Sequence, residues 1–396
     1  MDETTRRKKK TLRLRLEKRE QAHGARLPIG FPGNMLRSDR KLIGVLMATC
    51  WAVHAASVDA QQCEVQLEAG DIQLVRDRME LGLYGSGPLL LRSQQRDQVE
   101  IKWHVLTDSA GNQAIDEATL DDYLIRLSEA FAPAGIEFCA NSEIDYIIDD
   151  ALFADVQSTY ELRVINATPN AIDIYWCPSI YDGQLCGSSS YSFGPIQGIV
   201  MQTTCLGEAD VSSILIHETG HYFDLFHTHE TGWGFDCPGG STCETTGDLV
   251  CDTAPSKNLQ FDACVDPADC SLRLDVDACI SGYPAPLCDG SPYLESEATN
   301  YMSYSPVRCL VEFTPGQHQR INATYENLRP ELHSPSCSTT VPCVGDLSGD
   351  GSVGGGDLAI LLSAWGMEEE ASDLDGSGIV GGGDIAVLLN NWGECR

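Results

Sequence analysis

His217, Glu218, His221 and His227 are residues whose types and spacing could do chemistry. On a helix, two imidazoles four residues apart share one face, at the spacing of two ligands on one zinc ion. The Glu beside the first His then stands to take a proton from a metal-activated water. His227 lies six residues beyond His221. At roughly 3.6 residues per turn, that offset on a continuing helix points well away from the His217/His221 face. His227 reaches the same metal only if the helix ends near Asp224 and the chain turns back.

The spacing resembles the metzincin metallopeptidase signature, His-Glu-x-x-His-x-x-Gly-x-x-His followed by a Met-turn. The family's Gly, which ends the helix in a left-handed conformation, is Asp224 here. Asp and Asn are the residues that next most easily adopt that conformation. Downstream, Asn300-Tyr301-Met302-Ser303-Tyr304 looks like the Met-turn, with Met302 under the metal. That run with Cys309 and residues 313–317, and the stretch 247–253 after the His motif, resemble the pappalysin-like branch. The resemblance covers roughly residues 99–332.

It implies an α+β catalytic domain with a mixed twisted sheet, zinc helix, Met-turn and C-terminal helix. It implies Zn²⁺ on His217, His221 and His227, Glu218 as general base, and Tyr304 as stabiliser of the tetrahedral oxyanion. Relatives of this branch have calcium nearby, and Asp248, Asp252 and the Thr253 carbonyl are hard oxygen ligands close in sequence. An ordinary capped turn is the other reading of that loop.

Elements that would position these residues can be read along the chain. Residues 99–106 read as a strand. Leu120, Tyr123, Leu124, Leu127 and Phe131 mark one face of a helix ending near residues 133–135. Residues 136–139, 162–165 and 172–176 read as further strands, followed by a Gly/Ser-rich loop over 183–194. The strand expected at 198–203 corresponds in metzincins to the sheet edge on which a peptide lies by backbone hydrogen bonds. The zinc helix should start at Asp210 or Ser212, both good N-caps. From Cys237 to Cys288 the composition predicts an irregular region stapled by disulfides. Thr314 should cap a last helix, with Pro315 at its first position, running to about Arg329.

The tail is a separate module. Asp346 to Asp357 recurs as Asp373 to Asp384, 27 residues later, and each copy runs into a short apolar helix. EF-hand-like loops present oxygens at their first, third, fifth, seventh and twelfth positions. Here those are Asp346, Ser348, Asp350, the Ser352 carbonyl and Asp357, then Asp373, Asp375, Ser377, the Ile379 carbonyl and Asp384. The duplicated loop-helix resembles a dockerin, which implies Ca²⁺ and a cohesin-like partner. It departs from the dockerin pattern at Gly354 and Gly381, where Asn or Asp is usual, and in the glycines after them, which offer no side chains to a cohesin. The pseudo-symmetry of such a pair brings its ends together, so a Cys343–Cys395 bond would clasp the module. Pairing of Cys343 with Cys337 or another catalytic-domain Cys is the alternative.

The chain has 396 residues, enough for two or three domains, and 17 Cys, too many for an ordinary cytosolic enzyme. Basic residues at 37–41, an apolar run at 42–53 and Val58-Asp59-Ala60 read as a secretory signal peptide over 35–60. The apolar run is too short for a membrane span. Residues 1–34 read as a mis-assigned start, with a basic extension as the alternative, and 61–98 as a pro-segment or ordering arm. The peptidase domain is expected over 99–338 and the dockerin-like module over 344–396. Removing residues 1–60 leaves 16 Cys, an even number that allows eight disulfides. Cys63 either joins one of these or blocks the zinc in a latent precursor. The first 60 residues hold 13 of the 26 Lys/Arg and 6 of the 58 Asp/Glu, which leaves 13 against 52, a net charge of −39 with His neutral. Such a surface repels nucleic acid and anionic membranes.

The function expected is that of a secreted zinc endopeptidase acting on protein or peptide substrates. The alternative is a non-catalytic, calcium-stabilised adhesion or scaffold protein with a structural zinc. Glu218 argues against it, because a structural zinc has no use for the base.

Overall fold

The structure is a computed structural model. It describes residues 10, 12–14, 16, 18–19, 69–85, 97–140, 142–205, 210–238, 242–259, 264–333, 344–348, 352–367 and 371–394. The chain divides into two compact units, residues 1–336 and 337–396.

The first unit opens with helix α1 (Ala69–Leu81) and strand β1 (Asp97–Thr107). Helix α2 (Glu117–Phe131) starts where the Asp116 carboxylate accepts the Thr119 N–H, and it buries Leu120, Tyr123, Leu127 and Phe131 as the spacing predicts. Strands β2 (Ile136–Cys139) and β3 (Asp145–Ile148) follow, then short helices α3 (Asp150–Ala154) and α4 (Thr159–Leu162). Strands β4 (Ile172–Cys177), β5 (Gly187–Ser189) and β6 (Ile199–Gln202) lead to the His-bearing helix α5 (Ser212–Tyr222). The sheet runs β2-β1-β4-β6-β5, with β3 also paired to β1. All pairings are parallel except β5 with β6. Val99, Ile101, Trp103 and Val105 of β1 meet α2 and α5 in one apolar core.

Three expectations are corrected. Residues 162–165 form no strand. Ser158 caps α4 by accepting the Glu161 N–H, Arg163 stays right-handed helical, and Asn166 turns left-handed at φ 53°. Local side-chain capping outweighs the β-branched composition there. Strand β6 is not the edge, because β5, inside the predicted loop, pairs along its outer side. The even cysteine count also fails as an argument: Cys177 is a buried free thiol.

The irregular region is stapled as expected, by Cys237–Cys288, Cys243–Cys251, Cys264–Cys279 and Cys270–Cys309, and it includes the short helix α6 (Asp277–Ile280). Cys186–Cys205 ties β5 to the chain after β6. Helix α7 (Pro315–Leu328) closes the unit with a capping box between Thr314 and Gln317.

Part of the segment expected as a pro-segment or ordering arm packs inside this unit. Leu74 and Val75 of α1 and nearby Tyr84 join Tyr191, Phe193, Phe226, Trp233 and Leu249 in a second apolar cluster, which also contains Leu16.

The second unit holds helices α8 (Gly355–Ser363) and α9 (Gly382–Asn390) and a two-stranded pair, β7 (Ser352–Val353) with β8 (Gly393–Glu394). Val353, Leu361, Ala364, Val380 and Leu388 form its core. No described helix is long and apolar enough to cross a membrane.

Candidate zinc site

Helix α5 is almost wholly buried and presents His217 and His221 on one face. The Asp210 carboxylate accepts the Ser212 N–H at 3.1 Å, which satisfies an end donor of α5. The helix ends as His227 requires. Asp224 takes φ 60°, its N–H donates to the His221 carbonyl at 2.9 Å, and the Leu225 N–H donates to the Gly220 carbonyl at 2.9 Å. These two bonds around a left-handed residue form a Schellman motif. The chain reverses and brings His227 back over the helix.

The three imidazoles converge. The Nε2 atoms of His217 and His221 are 3.1 Å apart, and those of His221 and His227 are 3.0 Å apart. The other ring nitrogens fix the tautomers. His217 Nδ1 lies 2.6 Å from the Tyr301 carbonyl and His221 Nδ1 lies 2.7 Å from the Leu225 carbonyl. A carbonyl only accepts, so each Nδ1 carries the proton and each Nε2 offers a lone pair. Burial pushes the pKa of His217 down to about 4 and those of His221 and His227 well below the usual imidazole value. Neutral rings with lone pairs facing one another at 3 Å repel unless a cation lies between them. The donor set therefore fits a zinc ion.

Met302 lies beneath. It is fully buried, and a Cβ added to Gly220 would stand 2.6 Å from its sulfur. Its turn is anchored to α7. Asn300 Oδ1 accepts the Met302 N–H at 2.9 Å, and the Asn300 and Gln317 side chains exchange bonds of 2.8 and 3.1 Å. The Thr228 N–H in turn donates to the Met302 carbonyl. Tyr304 packs on His227 with ring centroids 4.6 Å apart.

Glu218 is buried beside His217, and its side chain lies against Gly187 of β5. A fourth histidine is present. His229 stacks on His227 at 5.1 Å and meets Tyr304 at a tilt with centroids 4.6 Å apart, and burial pushes its pKa down to about 3. The motif spacing assigns no role to His229, although it stands in the same run, and only the folded chain brings Asn300 and Gln317 together.

The loop after the zinc helix separates the residues expected to act jointly. Asp248 is buried; its Oδ1 accepts from the Val250 N–H and the Thr253 hydroxyl, and its Oδ2 is buried without a hydrogen-bond partner. Asp252 points elsewhere: its carboxylate accepts from the Thr314 hydroxyl at 2.8 Å and the Gly316 N–H at 2.7 Å, at the start of α7. A helix N-terminus attracts a carboxylate by its free N–H groups and dipole, so Asp252 acts as a second cap.

In the tail, Asp373, Asp375 and Asp384 bring carboxylate oxygens within 4.8 Å of one another. Asp384 also accepts the Asp375 and Gly381 N–H groups. In the first loop Asp357 plays the same part for Ser348 and Gly354, and Asp346 accepts the Ser348 hydroxyl. Ser352 lies in β7, and the Ile379 carbonyl accepts the Ser377 hydroxyl. Asp350, Cys63, Cys337, Cys343 and Cys395 lie outside the described residues.

Comparison with known proteins agrees with this site. A match to the M43 peptidase family, described as pregnancy-associated plasma protein-A, spans residues 197–326. The chain is 24% identical over 308 residues to an extracellular metalloprotease of Pyricularia oryzae, across 72% of this chain and 98% of that protein. It is 28% identical over 247 residues to an extracellular metalloprotease of Colletotrichum graminicola, across 58% of this chain and 77% of that protein. Among solved structures, mature mirolysin of Tannerella forsythia in complex with a cleaved peptide is 19% identical, with a TM-score of 0.43, over 60% of this chain and 96% of that one. This chain is a metalloprotease, and the family it matches implies zinc as its metal.

Proposed function

We propose that the chain is a secreted zinc endopeptidase with His217, His221 and His227 as metal ligands and Glu218 as general base. The convergence of three Nε2 atoms next to the buried Glu218 carries this reading. When bound, zinc supplies Lewis-acid polarisation of the scissile carbonyl and acidifies the attacking water toward a pKa of ~7. Glu218 accepts that water's proton and hands it to the leaving nitrogen. The Tyr304 phenol donates a hydrogen bond to the oxyanion that develops on the carbonyl. An extended peptide adds to the sheet along β5, the strand that ends the hydrogen-bonded order. Secretion is supported by the extracellular relatives and by the disulfides, which persist in oxidising compartments.

The same proposal gives the tail two Ca²⁺ loops and a dockerin-like role toward a cohesin-like partner, supported by the clustered carboxylates of the second loop. A Cys343–Cys395 bond would close this module; the pairing of β7 with β8, which ends just before Cys395, supports it. Calcium at Asp248 with the Thr253 carbonyl is supported by the partnerless Asp248 Oδ2.

The test is cleavage of a random peptide library by the zinc-loaded protein, with and without chelator. Cleavage that chelator abolishes and zinc restores is expected. A zinc-loaded protein that cuts nothing rejects the endopeptidase.

A further inference from the structure

We infer that Asp224 is a positioning residue for His227, and that helix α1 and Tyr84 grip it from outside the zinc helix. The inference rests on the reading that His227 binds zinc.

A left-handed turn after α5 needs only a glycine. The residue present is an acid with no exposed surface. Burying a carboxylate is costly unless it is paired and hydrogen-bonded, so its partners define what it does. The Asp224 carboxylate accepts the Ser192 N–H at 2.8 Å, the Ser192 hydroxyl at 2.5 Å and the Tyr84 hydroxyl at 3.0 Å. Arg78 Nη1 lies 3.4 Å away and donates to Ser192 Oγ at 2.6 Å. The Arg78 side chain is itself 5% exposed. Burial and the negative charge of Asp224 push the Tyr84 phenol pKa up, which keeps it a donor. None of these partners belongs to the zinc helix.

The turn they hold carries two ligands. The next residue, Leu225, provides the carbonyl that orients His221. Phe226 is buried in the same apolar cluster as Tyr84 and Leu74, and His227 follows directly. A shift of residue 224 therefore moves the acceptor for one imidazole and the backbone of another. Arg78 and Tyr84 reach this turn across 146 and 140 residues of sequence. Of the two readings of residues 61–98, pro-segment or ordering arm, this argument favours the ordering arm, and a form cut after residue 85 would hold zinc poorly.

Zinc affinity of the metal-free full-length protein, measured by chelator competition, tests this independently of turnover. Asp224→Gly relaxes the backbone but removes the carboxylate, and Tyr84→Phe removes one hydrogen bond while its ring stays in the apolar cluster. Losing groups that orient metal ligands weakens binding by about 10–100-fold. A loss in that range is expected for Asp224→Gly and a smaller one for Tyr84→Phe, with kcat falling more than KM rises. His227→Ala is the control. If it keeps zinc, the ligand reading fails first. If it loses zinc while both other variants bind as tightly as the parent, the positioning role alone is overturned. Should Asp224→Gly fail to fold, Tyr84→Phe decides: a protein that melts earlier but binds zinc normally reduces the network to scaffolding and overturns the inference.

Discussion

Gly187 and Glu218 are in direct contact: a Cβ on Gly187 would stand 2.7 Å from Glu218 Cγ and 2.9 Å from its Oε1. Strand β5 thus forms one wall of the slot that holds Glu218. Gly187→Ala should push the carboxylate out of line while leaving the three imidazoles in place. A misplacement near 1 Å can cost ~10²-fold in rate. We expect kcat to fall by about that factor with one zinc retained per chain. Steady-state kinetics and metal analysis check both halves, and an unchanged kcat would detach Glu218 from the chemistry.

Removing the base and removing a ligand should separate cleanly. Glu218→Ala keeps all three Nε2 donors, so it should retain zinc and lose ~10²–10⁴-fold in kcat, the usual worth of general base catalysis. His221→Ala breaks the central donor, 3.1 and 3.0 Å from its neighbours, and should lose metal and activity together. Zinc content unaffected by His221→Ala would sink the ligand set.

The floor of the site can be probed from both sides. Met302→Leu nearly conserves volume and should cost under about 1.5 kcal/mol of stability. Gly220→Ala puts a methyl group 2.6 Å from the Met302 sulfur. Overpacking of that kind costs about 1–3 kcal/mol, and it acts between His217 and His221 of the same helix. Denaturant unfolding should rank Gly220→Ala as the more harmful. The reverse order would mean that Met302 is held by its own chemistry and not by packing.

The histidine motif was legible in the sequence because a helix repeats locally, and four residues fix a shared face whatever the rest of the chain does. The end of the helix was legible for the same reason: φ and the two Schellman bonds at Asp224 involve its near neighbours. What was not legible is long-range. Gly187 against Glu218, Asn300 against Gln317 and Arg78 against Asp224 are contacts that no periodicity encodes. Residues 162–165 misled because their β-branched composition carries no trace of Ser158 and Asn166, which close the turn on either side. Asp252, expected beside Asp248 on calcium, instead caps the N-terminus of α7, a long-range partner that the sequence around it does not encode.

Calcium in the tail should be visible to tryptophan. Three carboxylates within 4.8 Å repel one another without a cation, so the second loop gains most from binding. Trp365 and Trp392 are each 50% exposed after α8 and α9 and should report the ordering of both loops. We expect a saturable fluorescence change on adding Ca²⁺ to the metal-free protein, reduced in amplitude by Asp384→Asn. Identical titrations for parent and variant would take calcium away from the second loop.

Asp248 gives a pH dependence of definite sign. Burial raises its pKa from 3.8 to about 7 in the folded protein. Between those values the folded state holds a proton that the unfolded state has released. The stabilisation is fully present below pH 3.8 and is lost as pH rises through about 7. The buried imidazoles have the opposite sign, since their depressed pKa values remove stability as pH falls. The comparison must therefore be a difference between two proteins that share those histidines. Asp248→Asn keeps an acceptor for the Val250 N–H and the Thr253 hydroxyl but does not ionise. Parent minus variant stability, measured on zinc-free protein by denaturant unfolding, should decline from pH 4 to pH 8 and then level off. Calcium at pH 8 should restore the parent-minus-variant difference, because the ion would replace the proton on the partnerless Oδ2, while any effect at the tail loops is common to both proteins and cancels. A difference curve that slopes as predicted but ignores calcium would leave Asp248 a buried acid and nothing more, and a flat one would mean that its carboxylate finds solvent or a partner.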